Sequence, residues 1–480
     1  MLFEWAQDEM AAADLQDKRL NHRLTQVLSD LGNRSTAGIP AACGGYAEMK
    51  AAYRFFDNDK VTWEKILDPH YERTRQRIAG QEVALLVQDT SEIDVTRPEQ
   101  QMTGAGWMDG SARVGAFLHV LEAFTPDGTP LGASWCDIWT RDAPRPSTSK
   151  EDKRGERKAT PIEEKESFRW LEGLRQAREV AQKSPGVTCV CVCDSEGDIY
   201  ELFDEPRGDV NPVHVLVRAG SDRALLQEPD GARMRMKDAV LDTPVLFRNS
   251  ISVRGRKAKV TCETRGRRQA RESRTTEVAV RATAVTLRPP PRPDRKLSPA
   301  TVNVVLVSET DPPLNDVPVE WILVTTLPIG DVEEVRKVVQ YYTTRWMIEV
   351  LFRVLKSGCR IEHRRFQHID RFLPCLAVFL VISWRTLFAC RLARSCPDID
   401  CEAVFEPSEW KSLWMAVHRE SPPKTPPKLA GMVRLVAQLG GYVNRPNRPD
   451  PPGPQTLWLG LQRMRDLAWA WDAFGPEASP

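Results

Sequence analysis

A chain of 480 residues with 41 % apolar content can bury sizeable cores and is long enough for two or three domains. A formal net charge of +1 excludes a protein that is basic throughout, so contact with a polyanion must come from local clusters of cations. Eleven cysteines, with no CxxC pair, point to buried thiols in a reducing compartment and away from a disulfide scaffold or zinc site.

The first residues, MLFEWAQDEM, are acidic early and lack the apolar stretch of a signal peptide. Residues 14–32, DLQDKRLNHRLTQVLSDLG, have helical spacing and gather Lys18, Arg19, His22 and Arg23; YAEMKAAYRFF predicts a second helix, with Lys50 and Arg54. An exposed polar face accounts for each of these cations taken singly. Residues 83–93, VALLVQDTSEI, form an apolar β-favouring run that ends at Asp89 and Thr90. Two further strands, AFLHVLEAF (116–124) and GASWCDIWT (132–140), flank the turn TPDGTP. The charged, proline-rich residues 141–161 read as a loop, and KESFRWLEGLRQAREVAQ reads as a helix. In VTCVCVCDSEGDIYELF (187–203) a second buried strand ends at Asp194, with Cys189, Cys191 and Cys193 as small buried hydrophobes. A strand-end aspartate is as often a turn or helix cap as a ligand.

Beyond Asp194, strand VHVLV leads to Arg218. Residues 254–274 carry nine Lys or Arg against two acids, among them Arg256 and Lys257. Trp321 follows the turn DPPLNDVPVE. Residues 341–358, YYTTRWMIEVLFRVLKSG, set Tyr342, Arg345, Glu349 and Lys356 in the spacing Y-x2-R-x3-E-x6-K. As one continuous helix, these four fall within an arc of about 60°, with Arg353 beside it. Ile348, Leu351, Phe352 and Leu355 would bury the other side. An amphipathic helix with i,i+4 ion pairs is the ordinary account, but with Asp89 and Asp194 the helix supplies a third hard oxygen donor. The run LPCLAVFLVISW (373–384) is too short to span a bilayer and meets Arg385. Proline-rich breaks at 421–428 and 444–454 divide a helical C-terminus. Its last helix aligns Leu457, Leu461, Met464, Ala468 and Trp471 in a core-type stripe.

These pieces, QDTSEI, KESFRWL, CDSEGDIYELF, VLVRAGSDR, EWILVTTLP and the Tyr342 to Lys356 signature, stand in the order of a DDE transposase. The chain resembles the IS4 group of that family, and within it the Tn5-like members. AAYRFFDN (51–58) and LGGYVN (439–444) extend the resemblance more weakly. The resemblance implies an α/β fold: a ribonuclease-H-like mixed-sheet catalytic core with an inserted β-rich subdomain, flanked by N-terminal and C-terminal helical domains. It divides the chain into a DNA-binding domain at 1–70, a catalytic domain at 71–370 with its insertion at about 222–325, and a dimerisation domain at 371–480.

Asp89, Asp194 and Glu349 are then the catalytic carboxylates, holding two Mg²⁺ ions per site, with Mn²⁺ able to substitute. Carboxylates plus substrate phosphate suit Mg²⁺, which keeps octahedral oxygen coordination. Tyr342, Arg345, Arg353, Lys356 and Arg218 are expected on DNA phosphates, and Trp321 stacked on an extruded base. Lys18, Arg19, Arg23, Lys50 and Arg54, with Arg256 and Lys257 in the insertion, are expected DNA contacts. The implied activity is cut-and-paste transposition by a cytoplasmic, nucleoid-associated homodimer acting on transposon-end inverted repeats and target DNA, with no membrane involved. A catalytically silent inhibitor derived from a transposase, or a ribonuclease-H-like nuclease that does not transpose, are the alternatives.

Overall fold

The computed structural model describes residues 3–476 except 44, 98, 110–111, 143–159, 209, 227–233, 254, 256–271, 315 and 444–450. The chain divides into two compact units, Met1–Ser147 with Trp346–Pro480, and Thr148–Arg345.

The first unit opens with α1 (Glu4–Glu9), α2 (Lys18–Asn33), α3 (Ile39–Ala42), α4 (Tyr46–Phe56) and α5 (Trp63–Ala79). Asp17 caps α2 by accepting the Arg19 N–H at 2.9 Å, and Leu24, Val27, Leu28 and Leu31 form its buried face. Four strands follow: β1 (Val83–Asp94), β2 (Gly106–Trp107), β3 (Val114–Phe124) and β4 (Pro130–Trp139). β3 pairs antiparallel with β1, setting Asp89 opposite Val120, and with both β2 and β4. The expected three strands are present. β1 is buried from Ala84 to Gln88, as its unbroken apolar run requires.

The second unit begins with α6 (Phe168–Lys183), then β5 (Thr188–Cys193), the short α7 (Glu201–Asp204), β6 (His214–Arg218), α8 (Met236–Leu241), β7 (Phe247–Val253), β8 (Arg274–Leu287), β9 (Ala300–Glu309), β10 (Glu320–Thr325) and α9 (Val332–Thr344). β5 and β6 are parallel, β10 pairs antiparallel with β6, and β9, β8 and β7 follow outward in antiparallel order. The β-rich interval thus grows directly out of β6 through its last strand. Cys189, Cys191 and Cys193 are all buried, and burial pushes the Cys189 thiol up to about 12, so the three act as small apolar side chains. Tyr200, Met236, Val240, Val304, Leu306 and Val324 lie in one apolar core.

The chain then returns to the first unit with α10 (Trp346–Arg353), a π-helical turn at Val354–Gly358, α11 (Ile369–Ser395), α12 (Pro407–His418), α13 (Leu429–Leu439) and α14 (Pro454–Phe474). α11 has 27 residues and is long and apolar enough to cross a membrane, where the run 373–384 alone suggested otherwise. It continues through Arg385 because that cation is accommodated inside the unit: its guanidinium lies 4.4 Å from the Trp5 ring and donates to the Val404 carbonyl at 3.0 Å. Most of α11 is buried in this unit, as for a core helix. The stripe Leu457, Leu461, Met464, Ala468 and Trp471 on α14 is buried as expected.

Candidate active site

In the second unit Asp194 stands just past the end of β5, and its carboxylate caps the turn Ser195–Gly197 by accepting the Glu196 N–H at 2.7 Å. The parallel register that pairs Cys193 with Val217 brings Arg218 to the end of the adjacent strand. The C-terminal ends of parallel strands are where α/β sheets place their ligands. Arg218 Nη2 donates to Ser195 Oγ at 3.1 Å. Tyr342, near the end of α9, is buried, and burial pushes its phenol up, opposed by the Arg218 and Arg345 cations and assisted by the Asp194 carboxylate. The Arg345 guanidinium lies 5.9 Å from the Tyr342 ring, and the Trp321 indole lies 5.7 Å from it at 59°. Five of the residues expected from sequence therefore gather in one place. Trp321 is half-buried and borders a cleft of about 330 Å³ together with Phe247, Val280 and Arg336.

In the first unit Asp89 lies in β1, with Oδ1 accepting the Thr90 N–H at 2.8 Å. α10 lies against β1 and carries Glu349, while Ile348, Leu351 and Phe352 are buried as the helical pattern required. The signature is not one regular helix, however. Tyr342 lies in the last turn of α9, Arg345 is the one residue, with helical backbone angles, between α9 and α10, Glu349 sits in α10, and Lys356 falls in the π-helical turn, whose wider winding departs from 100° per residue. The boundary between the compact units also falls at Arg345.

Lys356 Nζ is 3.9 Å from the Glu362 carboxylate; burial pushes its pKa down, opposed by Glu362, Glu92 and Asp94. Glu362 also accepts the Asp94 N–H at 3.1 Å, and Arg113 bridges Glu92 at 2.6 Å and Asp94 at 3.3 Å. This charged lattice around Lys356 has no local signature beyond the alternation of Glu92 and Asp94 along β1, which puts both on one face of the strand. Arg353 is exposed.

The expected triad is divided, with Asp89 and Glu349 in one unit and Asp194 in the other. Within neither unit, among the described residues, do three or more His, Cys, Asp or Glu side chains gather as around a metal ion. The donor set itself, three half-buried carboxylates, fits a hard divalent cation. In the N-terminal helices Lys18, Arg19, Lys50 and Arg54 are exposed and Arg23 is half-buried. Arg256 and Lys257 lie outside the described residues.

Three families match along the chain: Transposase DNA-binding over residues 3–61, Transposase DDE domain over 211–373, and Transposase Tn5 dimerisation domain over 381–469. The second spans Arg218, Trp321, Tyr342, Arg345, Glu349 and Lys356, and starts after Asp89 and Asp194. Among solved structures, the chain is similar to a piggyBac transposase in a synaptic complex with hairpin DNA, at 10 % identity, over 82 % of this chain and 67 % of that one, with a TM-score of 0.35. A DNA-binding domain, a DDE domain and a Tn5-type dimerisation domain, met in that order, place the chain in the IS4-group, Tn5-like DDE transposases, enzymes of metal-dependent phosphodiester cleavage and transfer.

Proposed function

We propose that this transposase performs cut-and-paste transposition: cleavage at the transposon end, hairpin formation and resolution, and strand transfer into target DNA. The observation that carries this reading is the gathering of Asp194, Arg218, Trp321, Tyr342 and Arg345 around one strand crest. Arg218 and Arg345 offer planar guanidinium groups suited to bidentate phosphate contacts. Tyr342, its pKa raised, stays a neutral phenol and can donate a hydrogen bond to a phosphate oxygen. Trp321 borders an open cleft, so an indole face is available to stack on an extruded base. Lys356 sits among Glu362, Glu92 and Asp94, and a DNA phosphate would compete with those carboxylates for it. Asp89, Asp194 and Glu349 would hold two Mg²⁺ ions, or Mn²⁺ in their place, which when bound activate the attacking water or 3′-hydroxyl and stabilise the leaving oxygen.

Lys18, Arg19, Arg23, Lys50 and Arg54 would contact the terminal repeat. The dimerisation match at 381–469 supports a homodimer in which each subunit cuts the end bound mainly by its partner. Such an enzyme works in the cytoplasm, on nucleoid DNA.

The test is incubation of the purified chain with Mg²⁺, a duplex made from the inverted repeats that flank the coding region, and a target plasmid. Nicked ends with free 3′-hydroxyls, hairpin-capped fragments and joined plasmid are expected. Asp89→Ala, Asp194→Ala and Glu349→Ala should each abolish cleavage and leave the band shift of the duplex intact. Cleavage retained in any of the three overturns the triad. Hydrolysis without hairpins or joining favours a plain nuclease, and binding without cleavage by the wild type favours a silent inhibitor.

A further inference from the structure

Four residues beyond Asp194, Asp198 has a side chain that is only 3 % exposed, yet it meets five donors. Oδ2 accepts the N–H groups of Gly220 at 2.9 Å and Ser221 at 3.2 Å, and the Ser221 hydroxyl at 3.4 Å. Oδ1 accepts Arg223 Nε at 3.1 Å and Nη2 at 2.5 Å, and the Asp198 carbonyl accepts Nη2 at 2.8 Å. The two chain segments so joined are the turn that carries Asp194 and the loop that follows Arg218.

A carboxylate with both oxygens engaged and a guanidinium as its counterion is not built to receive a metal ion, which would have to displace Arg223. The joint is also close in a second place. A Cβ on Gly220 would lie 3.0 Å from the Ser195 carbonyl oxygen, so the loop approaches the Asp194 turn through a residue without a side chain. Arg223 in turn lies over Tyr200, at 5.8 Å from the ring, and Tyr200 belongs to the apolar core of the unit. Core, clamp and strand crest therefore form one connected path.

Resting on the reading of Asp194 as a metal ligand and Arg218 as a phosphate contact, we propose that Asp198 is a positioning residue: its carboxylate fixes the Arg218 guanidinium relative to the Asp194 carboxylate. The two strands end side by side, and the Asp198 clamp joins the bonds from Arg218 to Ser195 and from the Glu196 N–H to Asp194 in setting how their side chains face. A group displaced by about 1 Å from its working geometry costs on the order of 100-fold in rate.

Asp198→Asn keeps one oxygen for the Gly220 and Ser221 amides and loses the charge that holds Arg223; Asp198→Ala loses both. Hydrogen exchange of residues 219–223 reads the clamp without DNA, and cleavage of the flanking-repeat duplex reads its consequence. Asp198→Ala should lose amide protection at Gly220 and Ser221 and lower the cleavage rate constant by about 10- to 100-fold. The half-saturating Mg²⁺ concentration should not change, and Asp198→Asn should fall between Asp198→Ala and wild type. In an Arg218→Ala background Asp198→Asn should cost less than about 2-fold, because the residue it positions is gone.

Effects of Asp198→Asn and Arg218→Ala that multiply independently overturn the proposal, as does a raised Mg²⁺ requirement, which would make Asp198 a ligand. Should Asp198→Ala not fold, the Asp198→Asn and double-variant comparison decides alone. A wild type that does not cleave removes the functional reading; a wild type that cleaves beside an Asp198→Asn of equal rate removes this proposal and leaves that reading standing.

Discussion

Glu9 and Glu122 are both buried in the first unit, and they titrate in opposite directions because of what faces them. Burial pushes the Glu9 carboxyl up, but His70 at 2.5 Å and the Arg77 guanidinium outweigh it and hold it below its ordinary 4.5. His70 Nε2 accepts the Ala133 N–H at 3.0 Å, so the ring proton sits on Nδ1 and points at Glu9. Burial pushes the His70 pKa below its ordinary 6.5, and the folded chain keeps the ring neutral. Both groups contribute stability that is complete above their unfolded values and is lost as the pH falls through the depressed folded ones.

Thermal melts from pH 8 to pH 4 should therefore show a falling limb on the acid side. Glu9→Gln should flatten it while costing about 3 to 5 kcal/mol at neutral pH, where it breaks a buried pair; an unchanged acid limb would count against this account. Among the described residues, neither oxygen of Glu122 has a hydrogen-bond partner, and burial pushes its pKa well above 4.5, with Arg77 opposing. Its contribution is present below the unfolded value and lost as the pH rises. Glu122→Gln should accordingly raise the melting temperature at pH 8 more than at pH 5.

At the scale of elements, the strands around Asp89 and Asp194 were legible because a fully buried strand writes itself as an unbroken apolar run. The signature was legible as residue types and spacing, but its path was not. The turn Val354–Gly358 is π-helical, with the Cys359 N–H bonded to the Val354 carbonyl at 2.7 Å. Its closest constraint comes from about a hundred residues further on: a Cβ on Gly358 would lie 2.9 Å from the Trp458 ring of α14. A local pattern carries no record of that packing, and extra turns of this kind recur at functional sites. Likewise Asp198, Glu362 and Arg113 act through partners distant in sequence, which spacing does not reveal.

Gly358→Ala should cost about 1 to 3 kcal/mol in a denaturant melt through overpacking against Trp458. Because it also shifts the turn that presents Lys356, cleavage should fall further than the loss of folded protein explains. A rate that merely follows the folded fraction would show that the turn has no role in placing the lysine.

At the scale of the molecule, a net charge of +1 and a DNA-binding family are compatible because the cations are placed where they can reach a backbone. Lys18, Arg19, Lys50 and Arg54 are exposed on the N-terminal helices, within the matched DNA-binding region. A cation that neutralises one phosphate adds about 0.9 to the slope of log K against log salt, so replacing all four with Ala should flatten the salt dependence of repeat binding by up to about 3.6. An unchanged slope would put the phosphate-binding cations elsewhere on the protein.

The dimerisation match ends near a different kind of surface. Trp469 and Phe474 on α14 are 67 % and 82 % exposed, and their rings meet edge to face at 6.5 Å. Leu459 on the same helix is also exposed. Two large aromatic side chains left together on a surface can serve as a contact with a partner, and the dimerisation match makes a second copy of the chain the partner to test there. The buried stripe of the same helix is separate from them, so the two aromatics can be changed without touching the core. Trp469→Glu with Phe474→Glu should leave the melting temperature within a few degrees of wild type and halve the protein mass of the repeat-bound complex in sedimentation. If each subunit cuts the end held by its partner, the same variant should bind the repeat and fail to cleave it; a monomeric complex that still cuts would place all the chemistry in cis.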